Sequence, residues 1–225
     1  MKKSGPALRQ ELGDVSYLEA HPEVCRLFQE VGCYKCCEKI QGFHQQVAES
    51  FALSFDGSKE VIEREEFLID EALISEVTEL PCTGEKWFKT TIPKHVEFKS
   101  YLKHEHKGMI WKKSVPSSWL EERSQQLLKS IVVYLTYEGR YNRAMIYHFK
   151  LMNHFIGKNP LNLPFYLHRS LGKMAHQVKS QPSKIAGRLC HHGLIQLLVQ
   201  ELLKRRNMAW PYFLFWNMAW PCNTH

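Results

Sequence analysis

The sequence predicts a mainly α fold, an irregular helical domain with a short strand or hairpin in its N-terminal half. Three observations predict it. Apolar residues recur at helical spacing through most of the second half, Gly and Pro punctuate those runs where helices start and stop, and only one stretch, Glu60 to Ile69, is rich in β-formers. A hydrophobic fraction of 44% with 12% aromatics in 225 residues is enough for one core. Residues 1–20 read as a loose leader, 21–206 as a single mostly helical domain, and 207–225 as a Trp/Pro-rich tail.

The elements follow in order. His21 to Gly32 reads as a short helix, with Pro22 in its first turn, Val24, Leu27, Phe28 and Val31 on one face, and Gly32 as its stop. A second is expected from Phe43 to Phe55, where Phe43, Val47 and Phe51 repeat every fourth residue, and Asp56-Gly-Ser58 is a turn. After the Glu60–Ile69 strand, Asp70 caps a helix whose Leu73, Ile74 and Val77 face inward, and Leu80-Pro81 ends it. Cys82 to Pro116 has no clear period, only loops with aromatic anchors at Trp87, Phe88, Phe98, Tyr101 and Trp111.

Ser118 and Glu121 fit a capping box for a helix with Leu120, Leu127, Leu128, Ile131, Val132 and Leu135 on its apolar face and Gly139 at its close. Asn142 to Ile156 follows, with Met145, His148, Leu151, Met152 and Phe155 in a stripe. Asn162-Leu-Pro164 then opens a helix carrying Leu167, Leu171, Met174, Ala175 and Val178. Pro182-Ser183 opens the last helical stretch, which continues to Arg206 with a weak point at Gly193. The tail repeats Asn207-Met-Ala-Trp-Pro211 as Asn217-Met-Ala-Trp-Pro221. Two copies are too few for a solenoid, and a poorly packed tail is expected.

The net charge of +7 hides an asymmetry. Residues 139–206 carry 12 Lys/Arg against one acid, Glu201, whereas residues 1–138 carry 18 against 22. A stretch this one-sided is either a solvated basic surface or a face for RNA or DNA. Basic residues alternate with aromatics there. Arg140, Arg143, Lys150, Lys158, Arg169, Lys173, Lys179, Lys184 and Arg188 are the candidate phosphate contacts, and Tyr141, Tyr147 and Tyr166 either stack on unpaired bases or belong to the core. No helix-turn-helix or RNP signature sets a binding mode.

Other chemistries find less support. Cys25, Cys33, Cys36, Cys37 and His44 form the one metal candidate, with Cys33 and Cys36 as a Cys-x-x-Cys half-site. Gln41 and Glu49 stand where a retroviral-type knuckle needs its other ligands, so buried thiols are the default and no metal or cofactor is expected. The three aspartates, Asp14, Asp56 and Asp70, have leader, turn and cap positions rather than those of a two-metal nuclease. Leu80-Pro-Cys-Thr-Gly84 matches a sortase signal in letters but reads as a helix stop and a turn. His148 on an apolar stripe, and His191-His192 near a helix start, are expected to be structural. Phosphate-loop, nucleophile-elbow and zincin motifs are missing, so no enzymatic activity is expected. Met1-Lys-Lys has no apolar run behind it, and no stretch reaches the roughly 18–20 apolar residues of a membrane span. An intracellular protein, nuclear or cytoplasmic, is expected.

Several phrases together resemble a plant family of transposon-derived, retroelement-associated proteins, described as a putative plant transposon protein domain. They are Gln41-Gly-Phe-His44, Val47-Ala-Glu-Ser-Phe-Ala-Leu-Ser-Phe-Asp-Gly57, Leu80-Pro-Cys-Thr-Gly-Glu-Lys-Trp-Phe88, Tyr137-Glu-Gly-Arg140, Asn162-Leu-Pro-Phe-Tyr-Leu167 and His191-His-Gly-Leu-Ile195, in order over about residues 40–200. The resemblance implies a non-enzymatic, retroelement-encoded or domesticated domain of gag-like or accessory role, with no catalytic residues to carry over. The repeated tail lies outside it and hints at a truncated reading frame from a decayed element. Two roles are expected from charge and resemblance together: nucleic-acid binding through residues 139–206, or self-association of gag type through the Leu127–Leu135 face.

Overall fold

The structure is a computed structural model that describes residues 15–40, 44–62, 65–88, 98–108, 114–136, 141–157, 159–181 and 189–205. Its helices are α1 (Ser16–Glu19), α2 (Pro22–Glu30), α3 (Tyr34–Lys39), α4 (Gln45–Ser54), α5 (Glu71–Thr78), α6 (Glu122–Ile131), α7 (Ile146–Phe155), α8 (Leu163–Ser180) and α9 (His192–Arg205). Two antiparallel pairs complete it, β1 (Lys59–Ile62) with β2 (Glu65–Leu68), and β3 (Ser114–Pro116) with β4 (Arg143–Met145). The fold is mainly α with short hairpins, as the sequence predicts.

One continuous core joins two packed groups. In the first, α8 lies against α4 and α5, and α9 packs on the same two helices; in the second, α2, α6 and α7 pack together. A π-helical turn at Val132–Thr136 continues α6 and touches α8. The Phe28 ring of α2 sits 4.5 Å from Phe155 and 6.2 Å from Tyr134, tying α2 to α7 and to that turn. Local chemistry sets several ends as expected. The Asp70 carboxylate accepts from the Leu73 amide at 2.8 Å, and the Asn162 side chain accepts from the Phe165 amide at 2.9 Å with Pro164 in the first turn. The inward stripe of α8 matches its prediction, with Leu167, Leu171, Met174, Ala175 and Val178 all buried.

Other ends move for tertiary reasons. Ser118 does not cap α6. Residues 117–119 form a 3-10 turn, and Leu120 bridges Leu102, with Lys103 N–H donating to Trp119 O and Glu121 N–H to Tyr101 O. That pairing holds Leu120 extended, so the helix starts at Glu122. The helix expected from Asn142 starts at Ile146, because Arg143–Met145 is taken up as β4. The strand expected over Glu60–Ile69 is a hairpin. The leader is shorter than expected, since α1 buries Leu18 completely.

The last helix starts at His192, after Leu189–His191; its expected start at Pro182-Ser183 lies outside the described residues. Gly193 is a site of close approach rather than a weak point, for a Cβ there would lie 2.1 Å from the Ile40 Cγ2 methyl. Phe43, Trp111, Gly139 and the tail also fall outside the described residues. No described helix is long and apolar enough to cross a membrane.

Candidate nucleic-acid interface

Helix α8 has 18 residues and no Asp or Glu. Its apolar stripe is committed to α4 and α5, which leaves Arg169, Lys173 and His176, spaced four and three residues apart, on the opposite side. Arg169 and His176 are exposed and Lys173 is half-buried. Neither Arg169 nor Lys173 has a carboxylate partner among the described residues, whereas Arg26, Lys35, Lys39, Lys59, Lys86 and Arg123 each pair with a glutamate. Lys179, exposed near the end of the helix, donates to the Phe55 carbonyl at 2.7 Å. Three of the nine expected phosphate contacts therefore share one helix.

The remaining contacts separate. Arg143 is exposed on β4, where its Nε donates to Ser114 Oγ at 2.9 Å. Lys150 is a correction: it is 8% exposed, its Nζ is bound to the Glu85 carboxylate, and Trp87 lies 5.9 Å away. A lysine turned inward and neutralised in this way displaces no counterion from a polyanion. Arg140, Lys158, Lys184 and Arg188 lie outside the described residues. Lys204 and Arg205, at the end of α9, pair with Glu201, and Arg205 also with Glu76.

Of the expected stacking residues, Tyr166 is 1% exposed and Tyr147 half-buried, so both belong to the interior. Burial pushes the Tyr147 phenol up to about 12 and Tyr166 higher still. Tyr141 remains 40% exposed. Its ring lies 5.8 Å from the Lys129 ammonium, which also sits 4.0 Å from the Tyr17 ring. Lys129 and Tyr17 are missed by a reading confined to residues 139–206, and no linear motif signals them because they come from separate helices.

The histidines have structural work. His148 is fully buried, and its Nδ1 accepts from the Met145 amide at 3.1 Å, closing the first turn of α7. His154 Nδ1 accepts from the Leu161 amide at 3.0 Å, and burial lowers its pKa to about 4, so it is neutral at pH 7. His191, at φ 57, is buried with Nε2 2.8 Å from Ser170 Oγ. Cys33, Cys36 and Cys37 lie in the core, where burial raises Cys36 to about 12 and the other two well above the usual thiol range. These sulfurs are protonated, and among the described residues no group of three His, Cys, Asp or Glu is placed to hold a metal ion.

The described parts of the phrases quoted above lie on or around α8. Gly84, at φ 98, comes so close to Pro160 that a Cβ would lie 2.6 Å from its carbonyl oxygen. Glu85 then bridges Leu161, with Glu85 N–H donating to Pro160 O and Asn162 N–H to Glu85 O. Trp87 and Phe88 lie against the Tyr166 ring at 6.1 and 5.4 Å, and Phe55 against His168 at 6.5 Å. His191 closes on Ser170 from the far side. Gln41-Gly-Phe43 and Tyr137-Glu-Gly-Arg140 are outside the described residues. No family model, no curated protein and no solved structure matches this chain.

Proposed function

We propose that this chain is a non-enzymatic, plant transposable-element-derived protein that binds nucleic acid through the acid-free outer side of α8. The carrying observation is that, among the described residues, Arg169 and Lys173 stand on one helix side without carboxylate partners, whereas the other described α-helices pair most of their cations. Unpaired ammonium and guanidinium groups gain most from a polyanion, because binding releases its condensed counterions and breaks no ion pair. The transposon-derived reading rests on the quoted phrases, whose described parts lie on or beside α8. Histidines committed to backbone amides and to Ser170 support a binding role over catalysis.

The test is fluorescence anisotropy on labelled RNA and single-stranded DNA across a salt series. Affinity is expected to fall steeply with salt, and the Arg169→Glu/Lys173→Glu pair to weaken binding roughly tenfold or more while flattening the log–log salt slope by about 2. No binding at about 50 mM salt, or binding indifferent to salt, overturns the reading.

A further inference from the structure

Tyr17 of α1, Lys129 of α6 and Tyr141 in the turn before β4 come together although more than a hundred residues separate the first from the others. The Lys129 ammonium is 4.0 Å from the Tyr17 ring and 5.8 Å from the Tyr141 ring, and it has no carboxylate partner among the described residues. His21 lies on Tyr17 at 4.3 Å, its Nδ1 2.7 Å from the Tyr17 carbonyl oxygen. In order of contact the groups run imidazole, phenol, ammonium, phenol, a column in that sense; His21, Tyr17 and Lys129 are half-buried and Tyr141, at one end, is 40% exposed. Arg143, two residues along, is exposed as well.

We propose that this column is a stacking platform for an unpaired base, with Lys129 and Arg143 facing the adjoining phosphates, so that the preferred ligand is single-stranded nucleic acid. The proposal rests on the nucleic-acid reading above. Two physical points carry it. An ammonium attracted to the negative faces of two rings, with no anion to neutralise it, keeps its charge available to a phosphate. A phenol ring left open at the end of such a column offers a flat face to any base, and base–aromatic stacking contributes about 1–3 kcal/mol. A duplex keeps its bases stacked internally and gains nothing from that face. If the column were only a packing clamp between α1 and α6, the Tyr17 contact at 4.0 Å would suffice, and an exposed second ring would add nothing.

The experiment compares a labelled oligo(U) RNA with a duplex DNA of equal phosphate number, at one salt concentration. Tyr141→Ala is expected to lower affinity for oligo(U) roughly tenfold and leave duplex binding unchanged, with Tyr141→Phe restoring the wild-type value because the ring face is kept. Tyr141 is exposed, so the far-UV circular dichroism and melting of Tyr141→Ala should match wild type. Unchanged oligo(U) affinity in Tyr141→Ala, or an equal loss on both probes, overturns the platform while leaving the α8 reading intact. Wild-type protein that binds neither probe overturns both together.

Discussion

Glu60 lies on the inward side of the β1–β2 hairpin, 3% exposed, with Oε1 accepting from Ser54 Oγ and Oε2 without a hydrogen-bond partner among the described residues. Burial raises its pKa from 4.5 to about 8; the Ser54 hydroxyl and Lys179 pull it down, and Asp56 pushes it up. The carboxyl is therefore largely protonated in the folded protein at pH 7, whereas in the unfolded chain it is ionised. Because the folded state binds this proton more tightly, its contribution to stability is complete below the unfolded pKa and is lost as pH rises through about 8. The loss is on the order of 2–4 kcal/mol across that window. Glu60→Gln, which cannot ionise, should abolish this slope and be the more stable protein at pH 8.5, as read from urea unfolding at several pH values. Equal slopes in both proteins would contradict the assignment. None of this was visible in the sequence, where Glu60 is one of several glutamates in a β-forming run; only the side it faces gives it a function in the fold.

At the scale of elements, ends set by neighbours along the chain hold, and ends contested by distant segments move. Asp70 and Asn162 cap their helices because a cap needs only a side-chain oxygen three residues before an amide, a relation the sequence contains. Ser118 has the same letters, yet its segment is held extended by pairing with Leu102, a partner fixed by the rest of the chain. Gly193 makes the same point in reverse. In an open helix Gly→Ala stabilises by up to about 1 kcal/mol. Here the added methyl meets Ile40 Cγ2 on a stiff β-branched side chain, so Gly193→Ala should destabilise by roughly 1–3 kcal/mol. Ile40→Ala in the same background should recover part of that loss, giving a non-additive double-mutant cycle by thermal melting. Additive effects would mean that the two residues do not touch.

At the scale of the molecule, Phe28 ties α2 to α7 and to the turn that continues α6, within one of the two helix groups, so Phe28→Ala should cost roughly 3–5 kcal/mol. The unfolding transition, followed by circular dichroism and by tryptophan fluorescence, should shift as one, since a single core joins the groups. Two separate transitions would show that they are energetically independent. The apolar face from Leu127 to Leu135, an expected surface for self-association, is buried inside the chain, with Leu127, Leu128, Ile131, Val132 and Leu135 at 0–6% exposure. Among the described residues, the basic stretch 139–206 likewise resolves into an unpaired side of α8, one cation on β4, one buried lysine and a paired helix end.

By itself the sequence determined the helical class, most inward-facing stripes, two caps and the lopsided charge, because periodicity, capping and composition are properties of neighbours along the chain. Tertiary structure alone decided which described cations are neutralised, where α6 and α7 begin, that Lys150 faces Glu85, and that Lys129 contacts both Tyr17 and Tyr141. Those outcomes depend on which distant segments compete for the same atoms, and desolvation and pairing depend on that surrounding rather than on residue type.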